Sequence, residues 1–347
     1  MKERLRERAA ALGFDLCRVA PAAAFSEAGH YLSWLSHEMH GTMGYMAKNQ
    51  ESRLDIRQWH PAAKSVVMLA TSYFKKVAAA DPREQGRIAS YALTHDYHKT
   101  IGKGLDALAL WVRERGGEAK PFVDTSPILE RLYARYAGLG WVGKNTMVIA
   151  PRMGSYFFLS GMSTDLELEA DEPVPDHCGT CNKCIEACPT DAFPQPRVLD
   201  ASRCIAYLTI EHRGPVPPAL RGGTGAWLFG CDICQDVCPW NRFAKESPAQ
   251  KVIEGLMPLE AAARLTEAEF KARMKPTPVS RAKWQGFVRN ALLAMGNSRN
   301  PRFLDVLKDF ENHADPVLAE QARWSIASLQ AKGSSTISPL PEGERAG

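Results

Sequence analysis

Two cysteine runs constrain this chain more than any other feature. The first, Cys178-Gly-Thr-Cys181-Asn-Lys-Cys184-Ile-Glu-Ala-Cys188-Pro189, is a complete C-x2-C-x2-C-x3-C-P pattern. The second, Cys231-Asp-Ile-Cys234-Gln-Asp-Val-Cys238-Pro239, has three cysteines and lacks the first member. A 4Fe–4S cubane takes one thiolate per iron. Two-residue gaps let a tight turn wrap three thiolates around one cluster while the fourth points to the next. Cys204 is the remaining thiol nearby and must supply the eighth ligand if two full clusters exist. The crossover then predicts one cluster on Cys178, Cys181, Cys184 and Cys238, and another on Cys188, Cys204, Cys231 and Cys234. Zinc is the competing reading, since paired C-x2-C spacings also build zinc ribbons, but zinc needs neither the repeated C-x3-C-P endings nor so many thiolates together. Cys17, the one cysteine outside 178–238, reads as a small buried hydrophobe.

At 347 residues the chain exceeds a single core, so two or three domains are expected. Apolar residues make up 45%, which excludes a disordered protein. The longest apolar runs, at 64–74 and 155–162, are strand-sized rather than membrane-spanning. The N-terminus mixes both charges and leads into no apolar signal core, so the expectation is a cytoplasmic protein with no membrane partner. In that reducing compartment clustered cysteines point to metal, not disulfides. The net charge of +4 proves no nucleic-acid partner. Between Arg264 and Lys308, however, ten Lys or Arg stand against three acidic residues. That stretch is either a basic binding face or a solvated helical surface.

Up to about residue 165 helical and strand-like patterns alternate. Helices are expected at 2–12, 26–37 and 100–115, and another opening at Pro127 with Ser126 as its cap. Strands are expected at 65–74, 120–124, 146–150 and 155–159. Alternation of this kind favours helices on a mixed sheet. Gly138, Gly140 and Gly143 around Trp141 read as a tight connection whose backbone can approach a flat ligand, or simply as a turn. An acidic, Pro-containing linker follows at 167–176. After the cysteine module, 256–274 looks helical, and three amphipathic helices are expected at 283–295, 302–310 and 316–330. Their pattern is that of one HEAT-type repeat or an ordinary bundle. The Ser/Pro/Gly-rich tail reads as disordered.

Several further segments resemble the epoxyqueuosine reductase family, cobalamin- and iron–sulfur-dependent enzymes of the last step of queuosine synthesis in tRNA. They are Arg87-Ile-Ala-Ser-Tyr-Ala-Leu-Thr-His-Asp-Tyr-His98, Pro121-Phe-Val-Asp-Thr-Ser-Pro-Ile-Leu-Glu-Arg131, Ala137-Gly-Leu-Gly-Trp-Val-Gly-Lys-Asn145, Gly154-Ser-Tyr-Phe-Phe-Leu159, Arg203-Cys-Ile-Ala-Tyr-Leu-Thr-Ile-Glu211 and Gly230-Cys-Asp-Ile-Cys-Gln-Asp-Val-Cys-Pro-Trp-Asn-Arg242. The likeness runs in order from about residue 10 to 330 and includes the odd position of Cys204. It implies an α+β protein. A nitroreductase-like α/β cobalamin-binding domain would occupy 1–166, a ferredoxin-like two-cluster module 167–245, a HEAT-like helical tRNA-binding domain 246–331 and a tail 332–347.

Reduction of an epoxide to an alkene takes two electrons and two protons and releases water. The resemblance implies electrons relayed by two 4Fe–4S clusters from an unidentified donor to cobalamin, and Asp124 as proton donor. A carboxylic acid suits that role when its surroundings raise its pKa. Cobalamin rests on the likeness alone, because the D-x-H-x-x-G signature is missed by one residue at Asp96-Tyr-His98-Lys-Thr-Ile-Gly102. Arg53, Tyr97, His98, Ser155 and Thr209, with Asp124, are the expected cofactor-side contacts. Arg281, Lys283, Arg289, Arg299 and Arg302 are the expected phosphate contacts for a tRNA anticodon loop. The chain is expected to act as a monomer. A cobalamin-dependent reductive dehalogenase is the nearest alternative, but it would bring an export signal and organohalide substrates. A non-catalytic ferredoxin-type carrier would leave the large N-terminal domain without a use.

Overall fold

The computed structural model describes residues 1–331, so the expected disordered tail lies outside the described residues. Nine strands make three sheets among the described residues: β1 (Leu16–Pro21), β2 (Ser65–Ser72), β3 (Gln85–Ile88), β4 (Ala119–Val123), β5 (Trp141–Val142), β6 (Val148–Ile149), β7 (Phe157–Thr164), β8 (Trp227–Phe229) and β9 (Leu256–Pro258). The largest sheet has the order β1-β2-β7-β4. Strand β2 is central because Val66, Val67, Met68, Leu69 and Ala70 are apolar on both faces and all fully buried. Alternate side chains divide between two layers. Val67 and Leu69 pack with Leu5, Leu105 and Leu108 of the helices Lys2–Ala11 and Tyr97–Arg113, whereas Val66 and Met68 pack with Tyr133 and Ala134 of Glu130–Tyr136. Cys17 joins the first layer as the small buried hydrophobe expected.

Helices on both faces agree with the sequence reading, but the main sheet is not the mixed one expected. Every neighbouring pair of the main sheet is antiparallel. Helix–strand alternation implies parallel strands only where each helix crosses over between neighbouring strands. Here the neighbours β2 and β7 are far apart in sequence. The one parallel pairing lies in the small sheet β8-β3-β9, where β3 runs parallel to β8 and antiparallel to β9. That sheet stitches the three expected domains together, and Ile88, Ala92 and Leu93 join the C-terminal core with Phe287, Leu292 and Leu318. The boundaries at 166 and 245 therefore divide the chain more cleanly than its packing does.

The expected helix at Pro127 is displaced. Residues after β4 form a turn in which Ser126 N–H donates to the Val123 carbonyl, and the helix runs from Glu130 to Tyr136 with Leu129 before it. Ser126 caps nothing there. The C-terminal helices Lys283–Asn297, Leu304–Glu311 and Pro316–Gln330 follow the expected pattern, while 256–274 divides into β9 and the helices Leu259–Ala263 and Glu267–Met274. The glycines around Trp141 serve a turn. A Cβ on Gly138 would strike the Glu172 carbonyl, and one on Gly140 the Ile149 carbonyl, so the close approach is to the protein's own backbone. No described helix is long and apolar enough to cross a membrane.

Candidate active site

The eight clustered cysteines fall into two neighbourhoods. The Cys184 thiol is pushed up to about 11 by burial and next by the adjacent Cys238 and Cys178 thiols, with Cys181 also in reach. Cys238 in turn feels Cys178 and Cys181. In the other group Cys231 faces Cys234 and Cys204, Cys234 faces Cys204, Cys184 and Cys188, and Cys204 faces Cys188. The crossover expectation assigns these neighbourhoods to two quartets, with Cys184 and Cys234 where the two groups adjoin. The short helices Lys183–Glu186 and Ile233–Asp236 pack together, which brings the two cysteine runs side by side. Backbone N–H groups of Ala206 and Tyr207 point at Cys204, those of Trp240 and Asn241 at Cys238, and Ala192 N–H reaches Cys188 Sγ at 3.4 Å. Such donors stabilise sulfur that has lost its proton to metal. A single zinc ion would draw its ligands onto one point. A 4Fe–4S cubane takes its thiolates spread around a larger body.

A second constellation lies where β4 ends. Asp124 follows directly on that strand, and the Tyr97–Arg113 helix packs on it with its N-terminus at the same level. Asp96 caps this helix, accepting from the His98 N–H at 3.1 Å, and so presents Tyr97 and His98 to Asp124. The Asp124 carboxylate accepts from the Tyr97 hydroxyl and from His98 Nε2 at 2.6 Å, while His98 Nδ1 meets Asp96 Oδ1 at 2.7 Å. With a carboxylate at each nitrogen, the imidazole is a double donor. The hydrogen bond to Asp124 is the largest influence, burial opposes it and Asp96 adds to it, raising His98 from 6.5 to about 9. Burial works to raise the Asp124 pKa, but the bonds from His98 and Tyr97 and the charges of His98 and Arg281 outweigh it and hold the carboxyl below its usual value. The sequence reading expects the opposite sign. In the resting site the proton belongs to His98 and Tyr97, and Asp124 is their acceptor.

Between this carboxylate and the Cys204–Cys234 group stand Glu130 and Arg131. Protein crowds around Arg131, yet its side chain stays accessible, so it faces an internal cleft. Its charge reaches Glu130, Cys234, Tyr73 and Cys204. Glu130 Oε1 is buried without a hydrogen-bond partner, and burial lifts its carboxyl to about 7, with Asp124 adding and Arg131 and Arg53 opposing. Aromatic rings form one wall: Phe158 stacks on Tyr97 with centroids 4.2 Å apart and lies 4.6 Å from Tyr73.

The remaining predicted residues separate clearly. Arg53 is half-buried at the cleft, held by the Tyr45 and Lys48 carbonyls. Ser155 and Thr209 are corrections, because both are fully buried with hydroxyls spent inside the protein. Ser155 bonds Gln235 and Asn241, and Thr209 bonds the Ile205 carbonyl and the Gly230 N–H. Arg289 is a correction too. It is 0% exposed, and its guanidinium donates to the Leu208, His212 and Gly214 carbonyls, so it meets no phosphate. A helical arginine at an otherwise apolar position signals burial as readily as binding, and the sequence reading missed that. Arg281 stands close to Asp124, paired with Glu211 at 2.5 Å and reaching the Tyr45 hydroxyl at 3.4 Å. Lys283 is exposed beside it. Arg299 and Arg302 lie beyond the other end of the 15-residue helix Lys283–Asn297, about 22 Å away, and Arg302 pairs with Glu84. Asp96, Glu130 and Arg131 were not singled out, although all three fall in the segments quoted above.

Eight clustered cysteines beside a carboxylate–histidine–tyrosine cluster on an α/β domain mark an iron–sulfur oxidoreductase. A family model described as a 4Fe–4S double cluster binding domain matches residues 177–241, and one described as epoxyqueuosine reductase QueG, DUF1730, matches 53–125, which spans Arg53, Tyr97, His98 and Asp124. Epoxyqueuosine reductase of Cyclobacterium marinum is 42% identical over 82% of this chain and 94% of its own, and that of Xanthomonas campestris 38% over 93% and 95%. The chain belongs to the epoxyqueuosine reductase family. A solved epoxyqueuosine reductase with a tRNA-Tyr epoxyqueuosine-modified stem loop superposes with TM-score 0.86 at 31% identity, covering 94% of this chain and 90% of that one. The Bacillus subtilis enzyme, solved with its catalytic aspartate loop swung out of the active site, gives TM-score 0.83 at 29% identity and the same coverage.

Proposed function

We propose that this chain reduces epoxyqueuosine to queuosine at the wobble position of tRNA, acting as a cytoplasmic monomer. The observation that carries the reading is Asp124, gripped by two proton-bearing side chains at a strand end and separated from a cysteine quartet by one cleft. That the Bacillus subtilis relative keeps a catalytic aspartate on a loop supports giving the role to Asp124, which lies in the turn after β4.

The reaction breaks a carbon–oxygen bond twice at one oxygen, which leaves as water; two electrons and two protons enter and an alkene remains. The quartets Cys178, Cys181, Cys184, Cys238 and Cys188, Cys204, Cys231, Cys234 would each hold one 4Fe–4S cluster. Cobalamin, when bound, supplies the electrons at the epoxide carbon. Glu130, whose buried Oε1 has no partner, would meet the amide rim of such a flat macrocycle, with Arg131 and Arg53 nearby and Phe158 and Tyr73 as aromatic neighbours. Asp124 would stand at the departing oxygen and hand over a proton drawn from His98, whose imidazolium Asp96 keeps charged. Tyr97 would hold the Asp124 carboxylate in line. This division of labour removes the need for a raised Asp124 pKa: the histidine stores the proton and the carboxylate aims it. Arg281 and Lys283, beside Asp124, would hold anticodon-loop phosphates. The α/β domain corresponds in this reading to a nitroreductase-like unit and the C-terminal helices to a HEAT-like one.

Anaerobically prepared protein, given cobalamin, a low-potential reductant and epoxyqueuosine-containing tRNA, should yield queuosine by nucleoside mass spectrometry and carry about eight irons per chain. Zinc in place of iron, or unchanged tRNA from fully loaded protein, would sink the proposal.

A further inference from the structure

On the opposite edge of the main sheet from Asp124 lies a cleft of about 480 Å³ that the proposed reaction leaves unused. Strand β1 forms one side of it and the segment after the second cysteine run the other, with three strand spacings, about 14 Å, between that edge and β4. Three cations line it: Arg18 from β1, Arg152 and Lys245. Among the described residues none of the three has a carboxylate partner. Arg152 is held at φ 62°, a left-handed conformation unfavourable for a non-glycine residue, and its side chain is exposed at the rim. The single acid in the lining, Asp15, is engaged by the Ser72 N–H at 2.7 Å.

What makes the cleft more than a basic hollow is its floor. Phe243 lines it, and a chain of aromatic contacts leads inward from there. Phe243 lies 6.0 Å from Trp240, and Trp240 lies 4.8 Å from Trp141. Trp141 in turn donates its indole N–H to Cys178 Sγ at 3.4 Å. The cleft is thus in van der Waals continuity with the quartet containing Cys178, while the other quartet, enclosed around Cys204, Cys231 and Cys234, is the one next to Arg131 and Asp124. The two quartets face opposite ends of the same path.

We infer that this cleft is the docking site of an acidic one-electron carrier protein, which delivers electrons to the Cys178 quartet. Each encounter oxidises the carrier by one electron and reduces the nearer cluster by one, so two encounters supply the pair that the epoxide reduction consumes, and the two protons come from the Asp124 end. Unpaired cations around a low-lying aromatic floor fit a partner that presents carboxylates around its own redox centre. A free small anion would fill the charge requirement but would have no use for the aromatic path. The inference rests on the cysteines being cluster ligands, not on tRNA being the substrate.

The test uses the full-length, cluster-loaded enzyme with plant-type ferredoxin, an acidic one-electron protein, as probe. The variant Arg18→Glu/Arg152→Glu/Lys245→Glu should bind oxidised ferredoxin at least tenfold more weakly than the parent by titration calorimetry, and parent binding should weaken steeply with added salt. Cluster reduction by reduced ferredoxin, followed by stopped-flow absorbance, should slow by a similar factor, with reduction by the small cation reduced methyl viologen unchanged. A milder Arg152→Gln/Lys245→Gln variant should show the same pattern at smaller size. Unaltered ferredoxin binding in the triple variant overturns the inference, as does an equal loss of the viologen rate in both variants. Absence of any cluster signal in the parent would instead defeat the iron–sulfur reading beneath it.

Discussion

Replacing Asp96 by asparagine removes one of the two carboxylates that touch His98 while preserving the fold around it. Asparagine caps helices as well as aspartate, so the Tyr97–Arg113 helix keeps its start. What changes is the charge on the Nδ1 side of the ring, 2.7 Å away. A charge-assisted hydrogen bond of that kind is worth about 1.4 kcal/mol, which lowers the His98 pKa by about one unit from its raised value of about 9. If His98 is the proton store for Asp124, the rate must fall as the free enzyme loses that proton, so the basic limb of kcat/KM follows the His98 titration. At about pH 8.5 the protonated share falls from about three quarters to about one quarter, a threefold loss of kcat/KM, whereas at about pH 7 it falls by only about a tenth. The assay is queuosine formation across that range with constant, saturating reductant. A basic limb that stays at about 9, or a loss of equal size at every pH, would refute the histidine store and leave Asp124 as an independent acid.

The same geometry and the rest of the site make further expectations. Asp124→Asn should leave iron content and fold unchanged but slow turnover by about 10²–10⁴, since the aimed proton is gone; parent-like activity in that variant would remove Asp124 from the reaction. The Asp124–His98 pair should add stability that is complete between about pH 4 and about pH 6.5, is lost as pH rises through about 9 because the folded state raises the histidine pKa, and is lost again in acid as Asp124 takes up a proton. With Asp124 about half exposed, solvent screening limits this to about 1 kcal/mol, read as the pH-dependent difference between parent and Asp124→Asn in denaturant melts. Cys204→Ser should cut iron from about eight to about four per chain while the Cys178 quartet keeps its cluster, and full iron retention would break the proposed assignment. Arg289→Met should cost about 3 kcal/mol or more, because the Leu208, His212 and Gly214 carbonyls lose their shared donor in a buried site. Weakened tRNA binding without loss of stability would show the reverse.

How far the sequence could be read depended on how local the governing physics was. The double-cluster module was legible because the cysteine spacing is local, and the family-model match over 177–241 agrees with it; which thiolates share a cluster is the crossover's expectation. Strand β2 was legible because five consecutive apolar residues leave no solvent face. The sheet's antiparallel direction was not, since β2 and β7 meet across a long stretch of intervening chain and no local pattern encodes that pairing. Strand β3 escaped for a related reason. Its four residues are too short to show a period, and they earn strand structure only by pairing with β8 and β9, both distant in sequence.

At the candidate site the division is sharper, and it concerns charge rather than shape. The family resemblance, not residue type, placed Asp124, Tyr97 and His98 among the functional candidates, and it carried no information about where the proton rests between them. Burial alone would raise the Asp124 pKa, and the bonds from His98 and Tyr97, which arrive from another helix, help reverse the sign. Arg289 and Arg281 make the same point from the basic side. Both are arginines in one basic stretch, but the first sits among carbonyls with no solvent, and the second reaches across Glu211 to the field of Asp124. Composition sees two equal charges, whereas the fold makes one of them a clamp for the 208–214 loop and the other a neighbour of the reacting carboxylate. Because Glu211, which orients Arg281, lies within that clamped loop, the buried arginine bears on the site indirectly: the loop that Arg289 holds decides where the Arg281 charge stands relative to Asp124.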